Sequence, residues 1–468
     1  MNLYNNILVS TLMIGCSACT YNQQKPNIIF IMTDDQGYQD LGCYGSPLIQ
    51  TPCIDRIANE GLRMTDYYVS ASVSSASRAG IMTGRYNTHN GVEGVLWPGE
   101  PGLPAEEITI AEAMKSNGYA TACFGKWHLG DTEGHWPLDQ GFDAYYGIPY
   151  SNDMFIGATQ KLSKNIVYRE GYNEEKTLAA QKYSGTHTRQ NMFKTEWKNL
   201  VPLMEQNEIV EYPCDQSTLT RRYFDKTIDF IKNCGNKPFF IYLTPNMPHT
   251  PLAASEQFRG KSKRGLYGDA VEEVDWNVGR LLDFLKQQGL EDNTLIVFTS
   301  DNGPWIDKGS DGGSALPLRD GKFSQYEGGV RTPCIIRWPG HVPAGIVSNS
   351  IFASIDWFPT FLDLIGDKSD RSHLDGISQL ELLSHPTKKI RNEYLYVRNG
   401  KLHGVRKGDW VYLPKTGLKK AKKDDAPELF NINKDLEENY NVHDDNLHIV
   451  KDMKTLLQEY QDKLNLEQ

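Results

Sequence analysis

Asn27-Ile28-Ile29-Phe30-Ile31-Met32, running into Thr33-Asp34-Asp35, is the stretch on which the fold turns. An unbroken run of branched and aromatic apolar residues, without polar alternation, predicts a strand buried on both faces. Similar runs fall at residues 119–124, 238–243 and 295–299. Between the runs lie helical patterns. One opens at Thr51-Pro52 and puts Ile54, Ile57, Ala58 and Leu62 on one face; others span 106–117, stopped by Gly118, then 218–232 and 269–288. Strands separated by helices predict an α/β fold: a large mixed, mostly parallel sheet flanked by helices. Each strand runs into residues with chemistry to offer. The first leads into Asp34 and Asp35, the second into Lys126 and His128, the third into His249, the fourth into Asp301 and Asn302. In open α/β sheets, sites form beyond the carboxyl ends of the strands.

The chain of 468 residues is 39% hydrophobic and 23% charged, as expected of a folded globular protein. Its net charge of -10 argues against nucleic acid or an anionic membrane as the main partner. An anionic small substrate stays allowed, because local charge outweighs a screened global charge. Residues 7–15 form an apolar run too short to span a bilayer, ending in Gly15-Cys16-Ser17-Ala18-Cys19. We therefore expect a leader over residues 1–20 and export to the periplasm, with ordinary cleavage or a lipid anchor at Cys16. Of eight cysteines, the six outside the leader show no zinc spacing. Disulfides such as Cys43–Cys53 or Cys214–Cys234 and buried free thiols both remain open. A catalytic domain is expected over 21–378 and a C-terminal α+β subdomain over 379–468. In the latter, residues 394–397, 402–406 and 410–413 read as antiparallel strands, 415–425 as a solvated mixed-charge loop, and 449–464 as a closing helix.

Taken singly, Asp34-Asp35 and Asp301-Asn302 read as turns, Lys126 as a surface charge and His249 as a loop residue. Their delivery at one end of adjoining strands favours a site. Asp34, Asp35, Asp301 and Asn302 offer only oxygen, which suits Ca²⁺ or Mg²⁺ and not zinc. Three converging carboxylates without a cation repel one another. Arg78, Lys126, His128, His249 and Lys322 add positive charge and donors. A divalent cation among basic side chains suits a tetrahedral oxyanion, a phosphate or sulfate ester.

Ser74-Ser75-Ala76-Ser77-Arg78, with Thr83-Gly84-Arg85 after it, resembles the signature of the type I sulfatases. Thr33-Asp34-Asp35-Gln36-Gly37, Gly125-Lys126-Trp127-His128-Leu129-Gly130, Pro248-His249, Ser300-Asp301-Asn302-Gly303 and Gly321-Lys322 match in order, and Gly147-Ile148-Pro149-Tyr150-Ser151-Asn152-Asp153 points to the arylsulfatase A and galactosamine-sulfatase branch. The resemblance implies an alkaline-phosphatase-like fold and a formylglycine (3-oxoalanine) nucleophile made from Ser74. It implies one calcium ion held by Asp34, Asp35, Asp301, Asn302 and the modified Ser74. Arg78 and Lys126 are implied to stabilise the diol and His128 to act on its second hydroxyl. Lys126, Lys322, His249 and Ser151 are implied to grip the sulfate, with His249 or Lys322 assisting the leaving oxygen. Ala76 stands where proline is often found, an allowed variation. Residues 427–432 resemble the closing strand of the family's C-terminal subdomain.

An aldehyde hydrate suits this chemistry: one hydroxyl attacks sulfur, and deprotonation of the other expels sulfate as the carbonyl re-forms. The serine form implies a radical S-adenosylmethionine maturase of the anaerobic type as partner. The expected substrate is a sulfated sugar, of galactose or N-acetylgalactosamine type. Two rivals stand beside this reading: a phosphomonoesterase or phosphodiesterase of the same superfamily, and a non-catalytic sulfated-glycan binding protein. His89 and Trp97 have either a substrate-side role or an ordinary packing one.

Overall fold

The structure is a computed structural model that describes residues 25–418, 420 and 425–464. The expected leader with Cys16 and Cys19, and part of the mixed-charge loop, lie outside those residues. All seven residues of the Asn27–Thr33 strand are buried. It lies between two parallel partners, Thr294–Ser300 and Phe239–Thr244, in register from Asn27↔Thr294 to Thr33↔Ser300. Ala120–Gly125 pairs parallel to Phe239–Thr244 on the far side. These four strands are the middle of an 11-stranded sheet. Toward one edge it continues through antiparallel Cys334–Arg337, toward the other through parallel Ala144–Gly147.

Side-chain alternation along the first strand builds two cores. Ile29 and Ile31 join a layer with Ile54 and Ile57 of helix Pro52–Asn59, Leu219 and Tyr223 of helix Gln216–Asn233, and Val271 and Val278 of helix Leu266–Gln287. Ile28, Phe30 and Met32 face the opposite layer, which includes Met82 of helix Ser74–Thr83 and Trp357 of helix Trp357–Leu364. Phe30 meets Trp357 nearly edge-on, with centroids 5.8 Å apart.

The expected strands and long helices are present within a few residues, with two corrections and one unforeseen region. Leu62 is not on the first helix, which ends at Asn59, but in strand Leu62–Met64. Gly61 permits the break: a Cβ there would stand 2.1 Å from the Ile336 carbonyl oxygen, so only glycine lets the chain enter the sheet so close to that strand. The helix expected from 106 starts at Ile110, because Thr109 caps it: its hydroxyl accepts from the Glu112 N–H, and Glu112 accepts from the Thr109 N–H. Residues 161–212 contain strands Lys161–Tyr168, Leu203–Glu205 and Glu208–Tyr212 that carry no clear periodicity. All six described cysteines are free thiols.

The C-terminal region is a four-stranded antiparallel sheet of Glu393–Arg398, Lys401–Lys407, Trp410–Leu413 and Glu428–Asn431, covered by helix Leu447–Lys463. Asn399 and Gly400, both at positive φ, make its first hairpin turn. The sheet joins the larger body through buried ion pairs. Asp66 takes Arg331 on one oxygen at 2.7 Å and Arg406, from the C-terminal sheet, on the other at 2.6 Å. Burial alone would raise the Asp66 pKa, but the two guanidinium groups outweigh it and hold the carboxyl below its usual 3.8. A depressed folded-state pKa contributes stability that is complete above about pH 4 and fades as pH falls through the folded value. Asp66→Asn leaves Arg406 without its countercharge and Arg331 with Glu327 alone, and is expected to cost about 3–5 kcal/mol in denaturant unfolding. Lys226→Gln, which removes an exposed partner of Glu205, is the comparison and should change stability by less than about 1 kcal/mol.

Candidate active site

Because the four central strands are parallel neighbours, their carboxyl ends deliver side chains to one place. Asp34 and Asp35 leave the first strand and Asp301 the Thr294–Ser300 strand, and ligand atoms of all three lie within 4.8 Å of one another, fully buried. Two backbones turn sharply there: Asp35 at φ 59° and His128 at φ 63°, a region that costs non-glycine residues energy and recurs at functional sites.

Three basic side chains answer the three carboxylates. Lys126 Nζ is 2.7 Å from Asp34 Oδ2, Lys322 Nζ is 2.8 Å from both Asp35 oxygens, and Arg78 Nη2 is 2.9 Å from Asp301 Oδ2. Burial alone would raise the Asp34 carboxyl; Lys126 foremost, then His249 and Arg78, overcome this and hold it below the ordinary range. Burial works against the Lys322 ammonium, but Asp35 and Asp34 outweigh it and raise its pKa. Arg78 also donates to the Lys126 carbonyl at 2.8 Å, tying the second strand end to the helix.

Ser74 is the first residue of helix Ser74–Thr83, and Arg78 comes one turn later on the same face. Ser74 Oγ donates to Asp34 Oδ1 at 3.1 Å and to Asn302 Oδ1 at 3.3 Å. The Asn302 amide is oriented by its nitrogen, which donates to Asp35 Oδ1 at 2.7 Å and to the Gly303 carbonyl at 2.9 Å. An oxygen-only set of three carboxylates, one carboxamide and one hydroxyl fits a hard divalent cation. Such a cation among balanced charges would make the site net positive, the sign an anionic ester requires.

The two histidines are poised differently. His128 Nε2 faces the Leu96 carbonyl at 3.1 Å, which puts the proton there, while its buried Nδ1 has no partner among the described residues. Burial, reinforced by Lys126 and Arg78, pushes its pKa well below 6.5, so the ring is neutral. His249 Nδ1 faces two acceptors, the Thr250 carbonyl at 2.6 Å and Asn152 Oδ1 at 2.9 Å. Its Nε2 therefore turns to Asp35 Oδ2 at 3.5 Å and to the Ser151 hydroxyl at 3.2 Å, and Ser151 in turn lies 3.4 Å from Lys126 Nζ.

The residues expected at the site are joined in this one network, except His128, which stands beside it within electrostatic reach of Lys126 and Arg78. His89 instead bonds Asp375 at 2.8 Å, and Trp97 packs edge-on against Phe193 at 5.5 Å. Two contributors carry no individual signal in the sequence. Asn152 orients His249 while its own amide nitrogen is held by the Pro251 carbonyl at 2.9 Å. The Leu96 carbonyl sets the His128 tautomer, and the Leu96 N–H is anchored on Ser75 Oγ at 3.0 Å. Asn152 stands in a recognisable segment, but a backbone carbonyl has no side-chain signature at all.

Comparison with known proteins places this geometry. The Sulfatase family profile matches residues 26–367, and that of the N-sulphoglucosamine sulphohydrolase C-terminal region matches 319–463. Arylsulfatase A of Homo sapiens is 34% identical, over 92% of this chain and 86% of its own length. N-acetylgalactosamine-6-sulfatase of Rattus norvegicus is 37% identical, over 76% of this chain and 65% of its own. The solved structure of Ps i-CgsB in complex with k-i-k-neocarrahexaose is 33% identical with a TM-score of 0.76, covering 93% of each chain. The serine helix, the carboxylate cluster and its three cations all fall inside the matched segment, and the chain belongs to the sulfatase family, hydrolases of sulfuric esters.

Proposed function

We propose that this enzyme removes O-sulfate from a galacto-configured sugar, galactose or N-acetylgalactosamine, through a nucleophile made from Ser74 beside a calcium ion. The observation that carries the reading is the seat of Ser74 Oγ, 3.1 Å from Asp34 and 3.3 Å from Asn302, at the N-terminal end of a helix. Helix N–H donors and dipole favour an anion at that position. Oxidised to 3-oxoalanine by a radical S-adenosylmethionine maturase, residue 74 would supply, as its hydrate, one hydroxyl to attack sulfur as the bond to the sugar oxygen breaks, and another whose deprotonation would re-form the carbonyl and release sulfate. Asp34, Asp35, Asp301, Asn302 and residue 74 would hold calcium, which contributes Lewis-acid stabilisation of negative charge.

The chain's own groups divide the remaining work. Arg78 and Lys126 hold negative charge at residue 74. The free lone pair of His128 Nδ1 makes that ring the base for the second hydroxyl. Lys126, Lys322, Ser151 and His249 bind the sulfate oxygens, and His249 or Lys322 gives a proton to the departing sugar oxygen. A sugar substrate is supported by the N-acetylgalactosamine-6-sulfatase relatives and by the oligosaccharide bound to Ps i-CgsB. An exported enzyme, periplasmic or lipid-anchored at the envelope, fits a polymer-derived substrate met outside the cytoplasm.

The central test is maturation. Protein co-expressed with an anaerobic-type maturase should show loss of two hydrogens in the Ser74 peptide by mass spectrometry and release sulfate from 4-nitrophenyl sulfate. Unoxidised protein should show little or no turnover. Fast sulfate release by unoxidised protein, or faster cleavage of the matched phosphate ester, overturns the proposal. Chelation should abolish activity and calcium restore it. In calorimetric calcium titration, Asp301→Asn should bind at least about tenfold more weakly, since ligand charge sets affinity. The pH profile of kcat/KM offers a further check. The rate should fall as acid protonates His128, along a limb well below the unshifted 6.5. Lys126→Met removes a neighbouring positive charge, so that limb should move to higher pH while kcat/KM drops about 10²–10³-fold.

A further inference from the structure

One wall of the site has no part in the chemistry above. Trp305 comes directly after Asp301-Asn302-Gly303-Pro304, and its ring lies 5.7 Å from that of His249. Phe323 stands against it at 5.7 Å and 78°, nearly edge-on. Lys322 Nζ is 4.8 Å from the indole centroid. The indole thus touches two of the groups assigned to the sulfate and the leaving oxygen, and whatever carries the ester must rise past it. Trp305 and Phe323 are both half-buried, which leaves ring surface open.

The backbone is bent to make this wall. Phe323 sits at φ 74°, a conformation that bulky side chains rarely adopt. Lys322 N–H donates to the Pro304 carbonyl at 2.9 Å and Phe323 N–H to the Ser72 carbonyl at 3.0 Å, which fix the bend. As a result Lys322 turns inward to Asp35, while the next side chain turns toward Trp305. Core packing does not call for a strained residue with a half-open ring; a binding surface does.

A second ammonium shares the indole. Lys308 is exposed, and its Nζ lies 4.0 Å from the Trp305 centroid. Asp35 answers the charge of Lys322, but Lys308 has no ion-pair partner among the described residues. Two cations on one ring, one of them uncompensated, suit a ligand that brings an additional negative charge.

We infer that Trp305 and Phe323 form the platform for the sugar ring that bears the scissile sulfate, and that Lys308 receives a second anionic group, sulfate or carboxylate, of the same glycan. This rests on the sulfate-ester reading and adds the shape and charge of what carries the ester. The C–H face of a pyranose meets an indole or phenyl ring well, while the few polar groups fix orientation.

The test uses matured, calcium-loaded enzyme with 4-nitrophenyl sulfate and with matched mono- and disulfated disaccharides of galactose and N-acetylgalactosamine. The unaltered enzyme should prefer the disulfated sugar. Lys308→Gln should cut that preference at least about fivefold and flatten its salt dependence, whereas Lys308→Arg should keep both. Trp305→Ala should raise KM for the sugars about three- to tenfold, with kcat changing less, and Trp305→Phe should retain most of the binding. An unchanged preference in Lys308→Gln, or unchanged sugar KM in Trp305→Ala, overturns the inference. Cleavage of the aryl sulfate but of neither sugar also overturns it while leaving the sulfatase reading intact; cleavage of none of the probes overturns that reading itself.

Discussion

The interaction on which the rest depends is the buried pairing of Asp34, Asp35 and Asp301 with Lys126, Lys322 and Arg78. Three carboxylates this close are costly without compensation, since each buried charge loses its hydration. Each cation reaches them from a different segment: Lys126 from a strand end, Arg78 from the serine helix, Lys322 from the loop after Gly321. The network therefore fixes three chain segments relative to the central strand. It also leaves the site near neutrality before a divalent cation arrives, and positive after.

The C-terminal sheet supports one of those three segments. Gln325 N–H donates to the Gly417 carbonyl at 2.7 Å, and the Tyr326 hydroxyl donates to Glu428 at 2.9 Å. Glu327 accepts from the Tyr68 and Tyr396 hydroxyls at 2.6 Å each and pairs with Arg331, while its N–H is held by Glu438. Lys322 and Phe323 stand directly before this braced turn. The small sheet thus braces the turn that directly follows a lysine of the cluster.

Much of the site is legible in the sequence because the chemistry sits in short segments with local signatures. Apolar runs ending in Asp-Asp, Asp-Asn or Lys-Trp-His announce parallel strands and their active ends together. The Ser-x-Ala-Ser-Arg spacing places residues 74 and 78 on one helical face. Illegible are Leu62, whose helical periodicity yields to a strand at the close approach of Gly61, and the strands within residues 161–212: Leu203–Glu205 and Glu208–Tyr212 are short, and Lys161–Tyr168, though 8 residues long, has no buried face.

The amino-acid sequence by itself determined which groups could meet, since strand pattern, helix spacing and donor type are properties of neighbouring residues. Only the tertiary structure decided how they meet. The tautomer of His128 is set by a carbonyl at Leu96 and the orientation of the His249 ring by an amide at Asn152, far away along the chain. The Trp305–Phe323 wall depends on a left-handed turn held by Pro304 and Ser72. Hydrogen bonds to backbone atoms and the faces of rings have no side-chain code. They arise when distant segments are packed together, so they can be read only once the chain is folded.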